Sequence, residues 1–418
     1  TATNATMTYG ASTLPNLVAT PVGLVNGDVL SGTLTTTATA YNGAAGSSSS
    51  VGSYPITQGG ITAGSNYTIT FVPGVLTVNP AALTIAGTAQ SAVYGAGSNL
   101  SSSAYTASGL VNGDSVSSVT ALYAGSASVP AITNAGTYAN AVTIGTANGV
   151  GLSNYAITYV PANLTITQAP LTITANNQSM TYGSNALPAL TYAVSGLVNG
   201  DALTGALTTT ATAYNGATGS ASSVGAYPIT QGTLAASNNY AVTFAPAVLT
   251  VNPATLTISA AAQSATYGVG IANLGTSQFT STGLANGDAI GGVTIQYNGA
   301  ANVPALTNAQ VYTNALIASG ATAALGTSLA NYNISYVPAN LTINKATLTI
   351  VADAKSMTYG AGSLPSLTYV TSGLVSPDAI TGALSTSATA YNGSAGSGSN
   401  VGAYPINIGT ISAGNNYN

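Results

Sequence analysis

The chain has 418 residues, 46% of them apolar and only 2% charged, with two Lys, six acidic residues that are all Asp, and a formal net charge of −4. It contains no His, Cys, Trp, Glu or Arg, so it cannot build a Ser-His-Asp or Cys-His nucleophile. It offers zinc or copper no thiolate or imidazole, and it cannot neutralise the phosphates of a nucleic acid.

General acid–base chemistry is left with isolated Asp, two Lys and Tyr. No catalytic, cofactor-binding or metal-binding residue is assigned, no cofactor is expected, and the chain is read as a non-enzyme. No apolar run reaches the length of roughly 18 residues expected of a membrane-crossing helix. The apolar share is too high for a disordered tract.

In chain order the same elements keep returning. Tyr-Gly stands at Tyr9, Tyr94, Tyr182, Tyr267 and Tyr359, at spacings of 85, 88, 85 and 92 residues. Each is followed by a hexapeptide ending in Asp: GLVNGD at Gly23–Asp28, Gly109–Asp114 and Gly196–Asp201, GLANGD at Gly283–Asp288, and GLVSPD at Gly373–Asp378. Asn-Tyr follows at Asn66, Asn154, Asn239, Asn331 and Asn416, and in the first four copies two Thr-rich apolar runs around a Pro close the unit. Self-similarity at one fixed period marks a tandem array.

The units fall at residues 1–79, 80–169, 170–252, 253–344 and 345–418, and they alternate between two kinds. The first kind carries Met-Thr-Tyr-Gly and a Tyr-Pro-Ile strand; the second carries Val129–Ile144 or Val303–Ala318 in place of that strand. Thr1 aligns with Thr174 and Val351, and Asn418 with Thr68, so the sequence is expected to be a window from a longer array.

Alternation of Leu, Ile and Val with Thr, as in Leu171–Thr174, is the period-2 pattern of a half-buried strand. Each unit is therefore expected to be a small β-sandwich-like domain of six to seven strands. The alternative is a β-grasp-like sheet with a short helix near the hexapeptide. Linkers are as short as the Asn-Pro-Ala at Asn79–Ala81, which predicts a stiff rod. At ~35–40 Å per unit, set by strand lengths, the window spans about 200 Å.

Asn-Gly-Asp is first of all a turn signal, with Asp expected to cap its own turn. Calcium would need six to eight oxygens, and one Asp per unit is a poor start. The Thr runs Leu34–Ala40 and Leu207–Ala213 read as solvent-facing strands rather than an ice-binding array. The sequons at Asn4, Asn66, Asn99, Asn163, Asn177, Asn333, Asn340 and Asn392 are no more than such a composition produces by chance. Tyr54, Tyr227 and Tyr404 are expected in core or cross-strand packing. Lys345 and Lys355 are too isolated for a general isopeptide cross-link. A surface with so few charged gatekeepers invites lateral or end-to-end association.

The pattern from Met-Thr-Tyr-Gly through Gly-Leu-Val-Asn-Gly-Asp to Asn-Tyr and Val-Leu-Thr-Val-Asn-Pro resembles the MBG (YGX-type) tandem repeat of large bacterial surface and secreted adhesins, including filamentous-haemagglutinin-like proteins. The resemblance covers essentially the whole chain. It implies β-rich domains, secretion or cell-surface display, and no catalytic residues. The resulting expectation is a stiff, low-charge stalk in an extracellular bacterial fibre or giant adhesin, self-associating with neighbouring chains. The alternative is a module that binds glycans or a host surface.

Overall fold

A computed structural model describes residues 1–418. The chain is all-β, with no α-helix; two single 3-10 turns, Leu152–Asn154 and Leu329–Asn331, are its only helical residues. No helix is long and apolar enough to cross a membrane.

Residues 81–167 show how one repeat folds. The strand Ala81–Gly87 is flanked by Tyr155–Val160, in parallel, and by Tyr105–Ser108, antiparallel. A second sheet runs Gln90–Val93, Ala162–Thr167, Gly136–Val150, Ser115–Tyr123. The first and last segments of the repeat each switch sheets, at Thr88–Ala89 and at Pro161, so both sheets receive a pair of terminal strands. Ser98–Asn99 and Ser128–Val129 add a two-stranded ladder.

The Thr alternation explains the two faces. Leu83, Ile85, Val142, Leu164 and Ile166 are at most 3% exposed, while Thr84 and Thr143 face outward. A Cβ on Gly87 would press on Ile144 and Ala162 of the other sheet, so the two sheets are in direct contact through a tight core. This is sandwich packing, with apolar residues inside and hydroxyls outside. The β-grasp alternative placed a short helix at the hexapeptide; the chain makes a turn there instead.

The two compact units of the chain comprise Thr1–Ala175 with Tyr192–Leu207 and Gln231–Ala245, and Asn176–Thr191 with Thr208–Thr230 and Pro246–Asn418. In the second, residues 254–344 repeat the two-sheet pattern of 81–167. Only Pro80 separates the strands Gly74–Asn79 and Ala81–Gly87, and only Pro253 separates Ala247–Asn252 from Ala254–Ala260.

Three local expectations change. Of the Thr runs, only Thr35–Thr36 and Thr208–Thr209 form strands; they face Thr57 and Thr230 through hydroxyl pairs at 2.9 and 3.0 Å. Tyr54 and Tyr227 are half-buried and lie across from Leu76 and Leu249 on the neighbouring strand, whereas Tyr404 is exposed; each donates its hydroxyl to the carbonyl four residues earlier. The third change concerns the hexapeptide Asp.

Candidate functional site at the joints between repeats

The hexapeptide folds as a tight turn. Asn and Gly take positive φ in all four NGD copies, for example Asn112 at 58° and Gly113 at 78°. This is the conformation that Asn tolerates and Gly favours. The Asp N–H then donates to the carbonyl three residues back, at 3.0 Å for Asp114 to Val111. In the fifth copy a cis Ser376–Pro377 peptide stands at the bend, and Asp378 N–H still reaches Val375 C=O at 2.8 Å.

The turn was legible, but the role of the Asp side chain was not. The carboxylate does not cap its own turn. One of its oxygens accepts hydroxyl protons from two tyrosines of different repeats. Asp114 Oδ2 is 2.9 Å from Tyr155 Oη of its own repeat and 2.9 Å from Tyr9 Oη of the preceding one. Asp201 takes Tyr240 at 2.7 Å and Tyr94 at 2.9 Å. Asp288 takes Tyr332 at 2.6 Å and Tyr182 at 2.9 Å. Asp378 takes Tyr417 at 2.6 Å and Tyr267 at 2.8 Å. Hydrogen bonds from a neutral hydroxyl to a carboxylate are short and stronger than neutral pairs. The two rings of each pair meet edge to face, with centroids 5.5 or 5.6 Å apart, the favoured aromatic geometry.

Each short motif thus has a physical task. The Tyr of Tyr-Gly reaches forward to the next repeat's Asp. Its Gly leaves room for the turn: a Cβ on Gly10, Gly95, Gly183 or Gly268 would overlap Val111, Val198, Ala285 or Val375 respectively. The Tyr of Asn-Tyr bonds its own repeat's Asp and accepts the turn's N–H, as Tyr155 does from Val111 at 2.9 Å. The adjoining Asn reaches back. Asn154, Asn239, Asn331 and Asn416 accept the backbone N–H of Val51, Ala135, Val224 and Ala309, each at 2.9 Å.

All eight joint tyrosines are buried. Burial, reinforced by the Asp114 contact, pushes Tyr155 up to about 12. Tyr9, Tyr182, Tyr240, Tyr332 and Tyr417 are also raised, with burial the leading cause. For Tyr267 the leading cause is the hydrogen bond to Asp378. The phenols are therefore held as neutral donors facing a carboxylate.

The first hexapeptide keeps its own-repeat contact, Tyr67 to Asp28 at 2.7 Å. Tyr359 of the last Tyr-Gly is 68% exposed. The sixth acid, Asp353, accepts the hydroxyl of Thr368. No three His, Cys, Asp or Glu residues gather in one place. Sequence reading found each joint motif separately but missed that they meet. The available signal was three motifs sharing one period, with Tyr and Asp offset by 105, 107, 106 and 111 residues.

A sequence profile described as MBG domain (YGX type) matches residues 1–77, 83–165, 171–250 and 348–418. No curated protein matches. Among solved structures, Drosophila N-cadherin EC1-4 aligns with 7% identity over 70% of this chain and 82% of that one, at a TM-score of 0.20. The N-terminal eight Ig domains of Down Syndrome Cell Adhesion Molecule, isoform 1.30.30, align with 14% identity over 92% of this chain, at a TM-score of 0.17. The alignment covers 54% of that fragment.

Proposed function

The chain belongs to the MBG domain (YGX type) family, and from that premise we propose that it is a non-catalytic spacer segment of an extracellular repeat protein of the bacterial surface. The observation that supports this reading is the joint. Every consecutive pair of repeats is fastened by the same Tyr–Asp–Tyr contact, so four of the six acidic residues serve the joints. A spacer needs such joints, because a freely swivelling linker would let the array collapse toward a random coil.

The remaining surface favours contact between chains. It carries almost no charge, and apolar side chains such as Val22, Val29, Val269 and Val401 are at least 75% exposed. Few charged groups oppose lateral association. A glycan- or host-binding role would call on exposed Tyr and Asn, whereas eight Tyr are buried in the joints.

Electron microscopy of the purified chain, with sedimentation across a concentration series, tests the proposal. Beaded strands of constant length that bundle as concentration rises are expected. Coiled, variable strands would contradict the spacer, and a monomer at every concentration would remove self-association.

A further inference from the structure

The first and last strands of each full repeat run parallel, and they do so in both sheets. In residues 81–167, Ala81–Ala86 pair with Tyr155–Val160 over six positions, and Gln90–Val93 pair with Leu164–Thr167 over four. In residues 254–344 the same ladders join Ala254–Ser259 to Tyr332–Val337 and Gln263–Thr266 to Leu341–Asn344. The registers recur at Ala169–Thr174 with Tyr240–Ala245 and at Gln178–Thr181 with Leu249–Asn252.

Direction decides how such a repeat answers tension. The chain enters at the start of Ala81–Gly87 and leaves at the end of Ala162–Thr167. Pulling these points apart drives two parallel strands past each other along their common axis. The ladder bonds lie across that axis and are evenly spaced in a parallel pair, so they are loaded together rather than broken one at a time. Leu83, Ile85, Leu164 and Ile166 are buried beneath them, which shields one face of the ladder from water.

The joints sit at the ends of these ladders. Tyr94 N–H continues the ladder past Val93 to Thr167 C=O at 3.0 Å, and Tyr240 opens the strand Tyr240–Ala245. Both hydroxyls meet on Asp201, so load leaving one pair of ladders is delivered to the start of the next.

We propose that the paired parallel ladders act as a shear clamp, making each full repeat resist extension along the chain. The clamp rests on the spacer reading only for the source of the load. A spacer that holds distance without bearing force would pass the microscopy test and fail the one below.

The full chain is tethered at its two ends and stretched in a single-molecule instrument, where rupture reports the unfolding rate under force. A second geometry uses the absence of native Cys. Ala82→Cys and Ala156→Cys place handles on two exposed, directly registered positions. Pulling through them opens the ladder bond by bond, and several-fold less force is expected than for end-to-end pulling of the same repeat. A thermal melt matching the parent shows that the handle variant is folded. Equal forces in the two geometries would overturn the clamp.

Discussion

The joint at Asp114 and the joint at Asp201 share a centre and differ at the rim. Both have one carboxylate, two buried tyrosines and a Gly beneath a Val. At Asp114, Asn112 is 5% exposed; its Nδ2 donates to Tyr9 Oη at 2.7 Å and its Oδ1 accepts Ser48 N–H at 3.0 Å. The same pattern recurs at Asn286, with Tyr182 and Ala221. At Asp201, Asn199 is exposed and donates only to Ala131 C=O at 3.2 Å. There Asn239 Nδ2 also donates to Asn134 Oδ1 at 3.0 Å.

Repeats of the two kinds offer different loops to the following turn, a Ser-rich loop near Ser48 in one and the Thr133–Tyr138 stretch in the other. The centre is therefore common to both joints, and the rim differs with the kind of repeat on each side.

The largest expected effect comes from filling the space at the centre. Gly95 and Gly125 have nearly the same φ, 85° and 83°, but a Cβ at Gly95 meets Val198 whereas Gly125 has open space. Both Ala variants strain the backbone by about 1–2 kcal/mol. Gly95→Ala should lose a further ~1–3 kcal/mol from overpacking. Denaturant unfolding of the two variants measures the difference, and equal losses would remove the close approach from the account.

Next is the acceptor itself. Asp114→Ala and Asp201→Ala each leave one buried hydroxyl, that of Tyr9 or Tyr94, without its acceptor, at a cost of about 1–3 kcal/mol. Tyr155 and Tyr240 keep the carbonyls of Val111 and Val198 at 3.1 and 3.2 Å. Both joints should weaken, because both share this centre. The rim variants should separate them. Asn112→Gly keeps the positive φ and deletes the buried amide, so a loss of about 1–2 kcal/mol is expected. Asn199→Gly removes only an exposed contact and should be close to neutral. Thermal melts that show the two changes to be equivalent would erase the distinction.

The strand pattern was legible because it is local. Leu171 and Ile173 alternate with Thr172 and Thr174, and the structure buries the first pair and exposes the second. The turn was legible for the same reason, since Asn-Gly carries its own backbone preference. The destination of Asp114 was not, because its second partner lies 105 residues away in another repeat.

Alkali gives a smaller and gradual effect. Tyr9, Tyr155, Tyr182, Tyr240, Tyr267, Tyr332 and Tyr417 have raised pKa values, so the folded chain holds their protons more tightly than the unfolded chain. Their contribution is fully present below the ordinary Tyr value of 10.0 and is lost as pH rises toward about 12 for Tyr155. Tyrosinate absorbance and an unfolding signal, followed together across that window, should move together. Stability that stays flat from pH 10 to 12 would contradict the burial of these phenols.

The central claim is that the Asp contact fixes one repeat against the next, and an inter-repeat distance distribution tests it most directly. Spin labels on cysteines introduced by Thr120→Cys and Ala193→Cys, both exposed positions on either side of the Asp201 joint, report that distribution by pulsed electron resonance. A narrow distribution is expected in the parent and a broad one once Asp201→Ala is added. Equal widths in the two chains would show that the joint is held by something other than its carboxylate.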